Sequence, residues 1–123
     1  MYTPQISTKH AVARWSLGDG RYTAGLFDGL VSPGMVKYLY VLAVFDDATE
    51  EPVLFVASEL DTELGTDTVV GPPFLGVFSG ETHENHGQSE DWNDLDLFAM
   101  KALKVAAGRL GGEVPSLFDE PIA

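Results

Sequence analysis

The segment Val36–Phe45, with the sequence VKYLYVLAVF, decides the fold class of this 123-residue chain. It is rich in valine, tyrosine and phenylalanine, which are the residue types that favour β-strands. Apolar side chains stand on both of its alternating faces, a pattern that is typical of a strand buried on both sides. We therefore expect this segment to lie in the middle of a sheet rather than at its edge.

Four further segments show strand patterns of alternating or continuous apolar residues: His10–Leu17, Arg21–Phe27, Val53–Ser58 and Phe74–Thr82. Gly18-Asp19-Gly20 is suited to join the first two in a hairpin, and Asp46–Pro52 is suited to close a second hairpin. Gly76, inside the fifth strand, indicates either a bulge or a close approach to the backbone. Thr82–Asp91 is strongly polar, so most of it is predicted to be loop.

One helix is predicted, over Asn93–Leu110. Its apolar stripe, with steps of three or four residues, consists of Leu95, Phe98, Ala102, Ala106 and Leu110. Carboxylates stand near its start and lysine or arginine toward its end, an order that complements the helix dipole. The expected fold is therefore α+β, with an antiparallel sheet of about five strands (two hairpins plus a fifth strand) followed by one C-terminal helix.

The length of the chain predicts a single domain over residues 1–123, with 111–123 as a tail that either docks or frays. One helix of about 18 residues is about 27 Å long and covers only one face of such a sheet. The other face of the central strands needs curling of the sheet, long connections or a second subunit to cover it. We expect a second copy, and therefore a homodimer that associates through this face.

The charge of the chain is strongly acidic, with 19 aspartate and glutamate residues against seven lysine and arginine residues and a net charge of −12. No lysine or arginine occurs between Lys37 and Lys101. Because phosphate binding needs clustered basic side chains, nucleic acid and anionic membranes are not expected as partners. Two interpretations of the acidic stretch remain: a surface that attracts a basic protein or a cation, and the ordinary solvent-exposed surface of an acidic protein. The absence of cysteine and of a signal-peptide pattern favours a cytoplasmic location.

The segment Glu81–His86, with the sequence ETHENH, gathers two of the three histidines among carboxylates. Glu81, His83 and His86 are residue types that bind zinc and other divalent ions. Their spacing is not that of the helical His-Glu-x-x-His site. The segment therefore has two interpretations, a divalent-metal site or a polar strand end with a solvent-exposed loop, and no other cofactor is predicted.

Three aromatic residues, Trp15, Tyr38 and Tyr40, are candidates for a partner-binding surface. Strict alternation along the central strand would place Tyr38 and Tyr40 on the same face. Aromatic side chains are enriched at the centres of protein interfaces, but they also dominate protein cores. If the three line the uncovered face of the sheet, that face is the surface on which a partner would dock.

Two functional interpretations follow. The first is a small acidic interaction module that self-associates through a sheet face and presents its acidic middle to a basic partner, in the manner of an inhibitor or immunity-type protein. The second is a small-ligand or metal-dependent enzyme or binder with a site near Glu81–His86. Ser79 lacks the flanking glycines of a nucleophile elbow, and no phosphate-binding loop precedes a helix. The first interpretation is therefore favoured.

Overall fold

The computed structural model describes residues 13–31, 37–63, 68–80 and 82–111. The strands are β1 (Ala13–Leu17), β2 (Tyr22–Val31), β3 (Lys37–Asp46), β4 (Glu51–Thr62), β5 (Val69–Ser79) and β6 (Thr82–Gln88), and they are followed by the helix α1 (Leu95–Leu110). Short 3₁₀ turns occupy Gly18–Gly20 and Glu90–Asn93. The α+β arrangement, an antiparallel sheet followed by a C-terminal helix, is confirmed.

The sheet has the strand order β1-β2-β3-β4-β5-β6, and every neighbouring pair is antiparallel. Each strand therefore pairs with its neighbours in the chain. Residues 37–45 of the segment Val36–Phe45 belong to β3, which lies between β2 and β4 as the two apolar faces of the segment predict. The turn between β3 and β4 is tight, because the amide of Glu50 donates to the carbonyl oxygen of Asp46 at 2.7 Å.

The described sheet has six strands rather than about five, because β6 occupies a segment that the sequence predicted to be mostly loop. This strand pairs with β5 at the edge of the sheet, from Ser79 opposite Thr82 to Phe74 opposite Gln88. Nearly all of its side chains are exposed, so it carries no apolar face that a sequence pattern could detect. Backbone pairing alone is enough to define an edge strand of this kind.

The helix packs on one face of the sheet and forms the larger core with it. This helix-side core includes Trp15, Leu17, Leu26, Leu42, Val44, Leu54, Val56, Leu75, Val77, Phe98, Ala102, Leu103 and Ala106. Two hydrogen bonds fix the segment before the helix to the central strands: the Ser58 hydroxyl donates to the carbonyl of Trp92 at 2.8 Å, and Tyr40 donates to that of Asn93 at 3.1 Å. Asp94 caps α1 by accepting from the amide of Leu97.

The opposite face of the sheet carries a second, smaller core that consists of Phe27, Tyr38, Val41, Ala43, Ala57 and Phe78. We call this side the second face. Val41, Ala43 and Ala57 are fully buried within a single chain. A second subunit is therefore not required to bury the side chains of the second face. The homodimer stays a prediction. Residues 112–123, which the sequence predicted to dock or fray, lie outside the described residues.

Candidate functional site

The two histidines of β6, His83 and His86, contact different carboxylates. The Nε2 atom of His83 lies 3.4 Å from Oε1 of Glu59, and Nε2 of His86 lies 3.5 Å from Oε1 of Glu84. Side chains alternate between the faces of a strand, so residues three apart are directed to opposite sides. The structure thus separates the two histidines into two carboxylate–histidine pairs. Glu81, the third predicted metal ligand, lies outside the described residues.

The Glu59–His83 pair bridges three strands, because Glu59 belongs to β4 and His83 to β6. Gly76 of β5 lies beneath the bridge. A Cβ atom at Gly76 would stand 2.9 Å from both Cδ and Oε2 of Glu59, which is closer than real Cβ contacts. The glycine in this strand therefore marks a close approach to the backbone, which was one of the two interpretations that the sequence left open.

The imidazole of His83 packs against an aromatic ring of the second core. The rings of Phe78 and His83 are stacked, with centroids 4.2 Å apart and planes 4° from parallel. Tyr38 meets Phe78 edge-on, with centroids 6.4 Å apart. Tyr38 is also the register partner of Glu59 on the neighbouring strand. The carboxylate–histidine pair is thus built into the second core rather than placed on top of it.

Burial raises the pKa of Glu59 above its usual value of 4.5, and the nearby His83 lowers it only in part. The side chain of Glu59 is 12% exposed, whereas that of His83 is 36% exposed. Water therefore reaches the pair mainly from the histidine side. A partly buried carboxyl group with a raised pKa beside a histidine is an arrangement that occurs often at functional sites, which makes this pair a candidate site.

Glu84 belongs to the other carboxylate–histidine pair and lies on the helix side of the sheet. Arg109, near the end of α1, contacts both of its oxygens, at 2.6 Å from Nη1 and 2.8 Å from Nη2. The hydrogen bond from Arg109 is the main reason why the pKa of Glu84 lies below its usual value, and His86 adds a smaller effect. This ion pair attaches the last turns of the helix to the edge strand β6.

The predicted metal site is not assembled by the residues that the structure describes. Across residues 13–31, 37–63, 68–80 and 82–111, no group of three or more histidine, aspartate or glutamate side chains is arranged to hold a metal ion. His83 and His86 have separate partners, as described above. Because Glu81 lies outside the described residues, a site that combines all three side chains stays a prediction.

The three aromatic candidates for partner binding are distributed over both faces. Trp15 is 6% exposed in the helix-side core, and Tyr40 contacts Phe98 of the helix. Tyr38 is 2% exposed and belongs to the second core. The prediction that Tyr38 and Tyr40 share a face is wrong, because a β-bulge lies between them. They pair with the adjacent residues Glu59 and Ser58 of β4, which shifts the alternation by one position.

Exposed apolar side chains gather at the start of α1, where the sequence analysis singled out no site. Leu95 is 38%, Leu97 44% and Met100 56% exposed. Leu95 was assigned to the buried stripe, but the buried stripe begins at Phe98 instead. The sequence did contain the signal, since Leu97 and Met100 are apolar, stand three residues apart and fall off the predicted stripe.

No protein-family model, curated protein or solved structure matches the chain. None of the helices that the structure describes is long and apolar enough to cross a membrane. What the protein does must therefore be inferred from its own residues, and the two features that stand out are the Glu59–His83 pair and the exposed start of α1.

Proposed function

We propose that this protein is an interaction module that acts by binding other protein chains through the start of α1. The observation that carries the proposal is the exposure of Leu97 and Met100 on the first turns of the helix, next to Asp94 and Asp96. Exposed apolar side chains rimmed by charged ones are typical of protein interfaces, and methionine is enriched at their centres.

The charge of the chain supports a basic protein as one class of partner. Among the described residues, Arg21 contacts Asp46 and Arg109 contacts Glu84. The carboxylates beside the start of the helix, Glu90 and Asp91, are exposed, and neither belongs to the ion pairs formed among the described residues. A basic surface that approaches this end of the molecule would meet attraction before contact, which increases the association rate.

The proposal can be tested by nuclear magnetic resonance of ¹⁵N-labelled protein in two titrations. In the first, the concentration of the protein itself is raised. In the second, a synthetic amphipathic peptide of lysine and leucine is added. We expect backbone amide shifts to change at residues 95–100 in at least one titration. Amides of 95–100 that stay unchanged in both titrations would overturn the proposal.

A pair of matched variants sharpens this experiment. Met100→Ser removes an apolar side chain from the start of α1, whereas Val70→Ser removes one with a similar exposure, 59%, at the start of β5. We expect Met100→Ser to weaken the response and Val70→Ser to leave it intact. Equal effects of the two variants would indicate that general stickiness, rather than this surface, causes the shifts.

A small-ligand or metal-dependent function near Glu81–His86 is the second candidate, and the Glu59–His83 pair favours it. A partly buried carboxyl group whose pKa is raised and which contacts a histidine is an arrangement that binding and catalytic sites often use. Equilibrium dialysis against zinc, nickel and manganese tests the metal form of this proposal. Binding that is lost in both His83→Ala and His86→Ala would support it, and no bound metal above background would remove it.

A further inference from the structure

We propose that the outer face of α1 docks against the same face of a second copy of this chain, with the two helices antiparallel around a two-fold axis. The outer face is the stripe formed by Leu97, Met100, Lys101, Lys104 and Gly108. This inference rests on the proposed function, because it names one partner for the surface at the start of α1. It moves the predicted self-association from a sheet face to the helix.

The position of this stripe follows from the helical repeat. Phe98, Ala102 and Ala106 are buried against the sheet. Leu97 and Lys104 are seven residues apart, which is about two turns, so they lie on the same side of the helix. Both are exposed, and this side is opposite the one that carries Ala102 and Ala106. The outer face thus consists of two apolar side chains near the start of the helix, two lysines in its middle and a glycine near its end.

The order of charges along α1 is complementary to itself when one helix is reversed. Asp94 and Asp96 precede the apolar pair, and Lys101 and Lys104 follow it. An antiparallel arrangement that places Leu97 of one copy against Met100 of the other also brings Asp94 near Lys101, because the two lie on the same side of the outer face. The same arrangement brings Asp96 near Lys104 on the other side. Each acidic side chain then meets a lysine, and the contact is repeated by the two-fold symmetry.

A parallel arrangement would place aspartate against aspartate and lysine against lysine, which is destabilising. The charge order therefore selects the antiparallel orientation. It also favours a second copy over a uniformly basic partner at this face, because a uniformly basic surface would be attracted at Asp96 and repelled at Lys101 and Lys104. Charge complementarity thus identifies the occupant as well as the direction of approach.

Gly108 supplies an independent observation. Glycine inside an exposed helix costs about 1 kcal/mol relative to alanine. A Cβ atom at Gly108 would meet nothing within 4 Å among the described residues, so their packing gives no reason for a glycine there. On the outer face, the missing side chain lets the backbone of a second helix approach closely.

The interface is small, since each copy contributes little more than one face of one helix. Stable complexes usually bury about 1,200–2,000 Å² in total, so weak association is expected. The net charge of −12 adds repulsion between the copies at low ionic strength. We expect a dimer that forms at high protein concentration and moderate salt, and a monomer on dilution.

Sedimentation velocity over a range of concentrations tests the inference with two charge-reversed variants. The first is Asp96→Lys, and the second combines Lys101→Glu with Lys104→Glu. We expect each variant alone to stay monomeric at concentrations where the wild type self-associates, because like charges would then face each other. An equimolar mixture of the two should form a dimer, because opposite charges face each other again.

Glu51→Lys is the matched control, since it changes the net charge as much as Asp96→Lys but lies at the turn between β3 and β4. It should still self-associate. Circular dichroism shows whether each variant keeps its fold, and the mixture identifies the surface even if a single variant is destabilised. If the charge-reversed variants alone dimerise as well as the wild type, the inference is overturned.

The failure of this inference can be told from the failure of the proposed function. A wild type that stays monomeric up to about 1 mM, but whose amides at 95–100 respond to the basic peptide, would overturn only the second copy as partner. A wild type that is monomeric and whose helix does not respond to the peptide would overturn both.

Discussion

Two carboxylate–histidine pairs of nearly equal length lie on opposite faces of the sheet, and they behave in opposite ways. The Glu59–His83 pair on the second face has a separation of 3.4 Å, and the Glu84–His86 pair on the helix side has one of 3.5 Å. Yet the pKa of Glu59 is raised and that of Glu84 is lowered. The distance to a histidine therefore does not decide how a carboxyl group ionises in this protein.

The two pairs differ in the exposure of the carboxyl group to water and in the presence of a second cation. Glu59 is mostly removed from solvent, which opposes its ionised form, and His83 offsets this only in part. Glu84 is solvated and receives two contacts from Arg109, a permanent cation, which favour its ionised form. The same pair of residue types therefore contributes to stability with opposite pH dependence, according to whether the glutamate lies on a buried strand or on an edge strand.

The largest expected effect comes from Gly76→Ala. The new Cβ would stand 2.9 Å from the carboxyl group of Glu59, so the side chain must move and its contact with His83 is disturbed. We expect the free energy of unfolding to fall by about 1 kcal/mol, the low end for overpacked interiors, because the atoms in the way are the end of a flexible side chain. Urea denaturation at pH 7 measures it. The same substitution in a Glu59→Ala background should cost much less, and an equal cost in both backgrounds would contradict the steric explanation.

The next largest effect concerns the pH dependence of the free energy of unfolding, of which Glu59→Gln should remove the part due to Glu59. Because the pKa of Glu59 is raised on folding, its contribution to stability is complete below pH 4.5 and is lost as the pH rises through its folded pKa. Glutamine keeps the neutral form at every pH. The free energy of unfolding of Glu59→Gln relative to the wild type should therefore increase from pH 4 to pH 7, as urea unfolding at several pH values would show. A difference that stays constant or decreases would be evidence against a raised pKa.

The two histidines can be compared directly by their effects on the neighbouring carboxyl groups. His83→Ala should raise the pKa of Glu59 further, because His83 is the group that lowers it. His86→Ala should change the pKa of Glu84 only slightly, because the hydrogen bond from Arg109 remains. Carbon-detected titration of the glutamate carboxyl groups gives both values. Equal shifts in the two variants would mean that burial and Arg109 do not distinguish the pairs.

The smallest effect on stability is expected for Arg109→Met, since exposed ion pairs contribute little. Its readout is the pKa of Glu84, which should return toward 4.5 when the guanidinium group is removed. The contribution of Glu84, which is present above pH 4.5 and lost as the pH falls, should disappear with it. Lys104→Met, which removes a charge from the same helix without touching Glu84, is the control.

The sequence predicted the parts of the fold that depend on apolar patterns. The segment around Val41 has apolar side chains on both faces, and it forms a central strand. Phe98, Ala102 and Ala106 have helical spacing, and they face the sheet. The strand β6 was missed because its side chains are polar and the contacts that hold it, backbone pairing with β5 and the contacts of His83 and Glu84, are made with distant parts of the chain. A local pattern of apolar side chains cannot reveal a strand that has no apolar face.

The candidate site was predicted only in fragments. His83 was singled out, but its partner Glu59 was not, because 24 positions of sequence and one intervening strand separate them. Their contact depends on the register of three strands, which no local pattern encodes. The bulge at Tyr38 had a similar effect, since one shifted position moved an aromatic side chain from the helix side to the second face.

The nearest-neighbour order of the strands has a consequence for how the chain folds. Each strand pairs with the next along the chain, so most sheet contacts close short loops and cost little chain entropy. The contact that closes the longest loop of chain is the one in the helix-side core between the helix, with Phe98, and β1, with Trp15. Since folding rates fall as contacts span more of the sequence, we expect the hairpins to form early and the docking of α1 to be the slow, rate-limiting event.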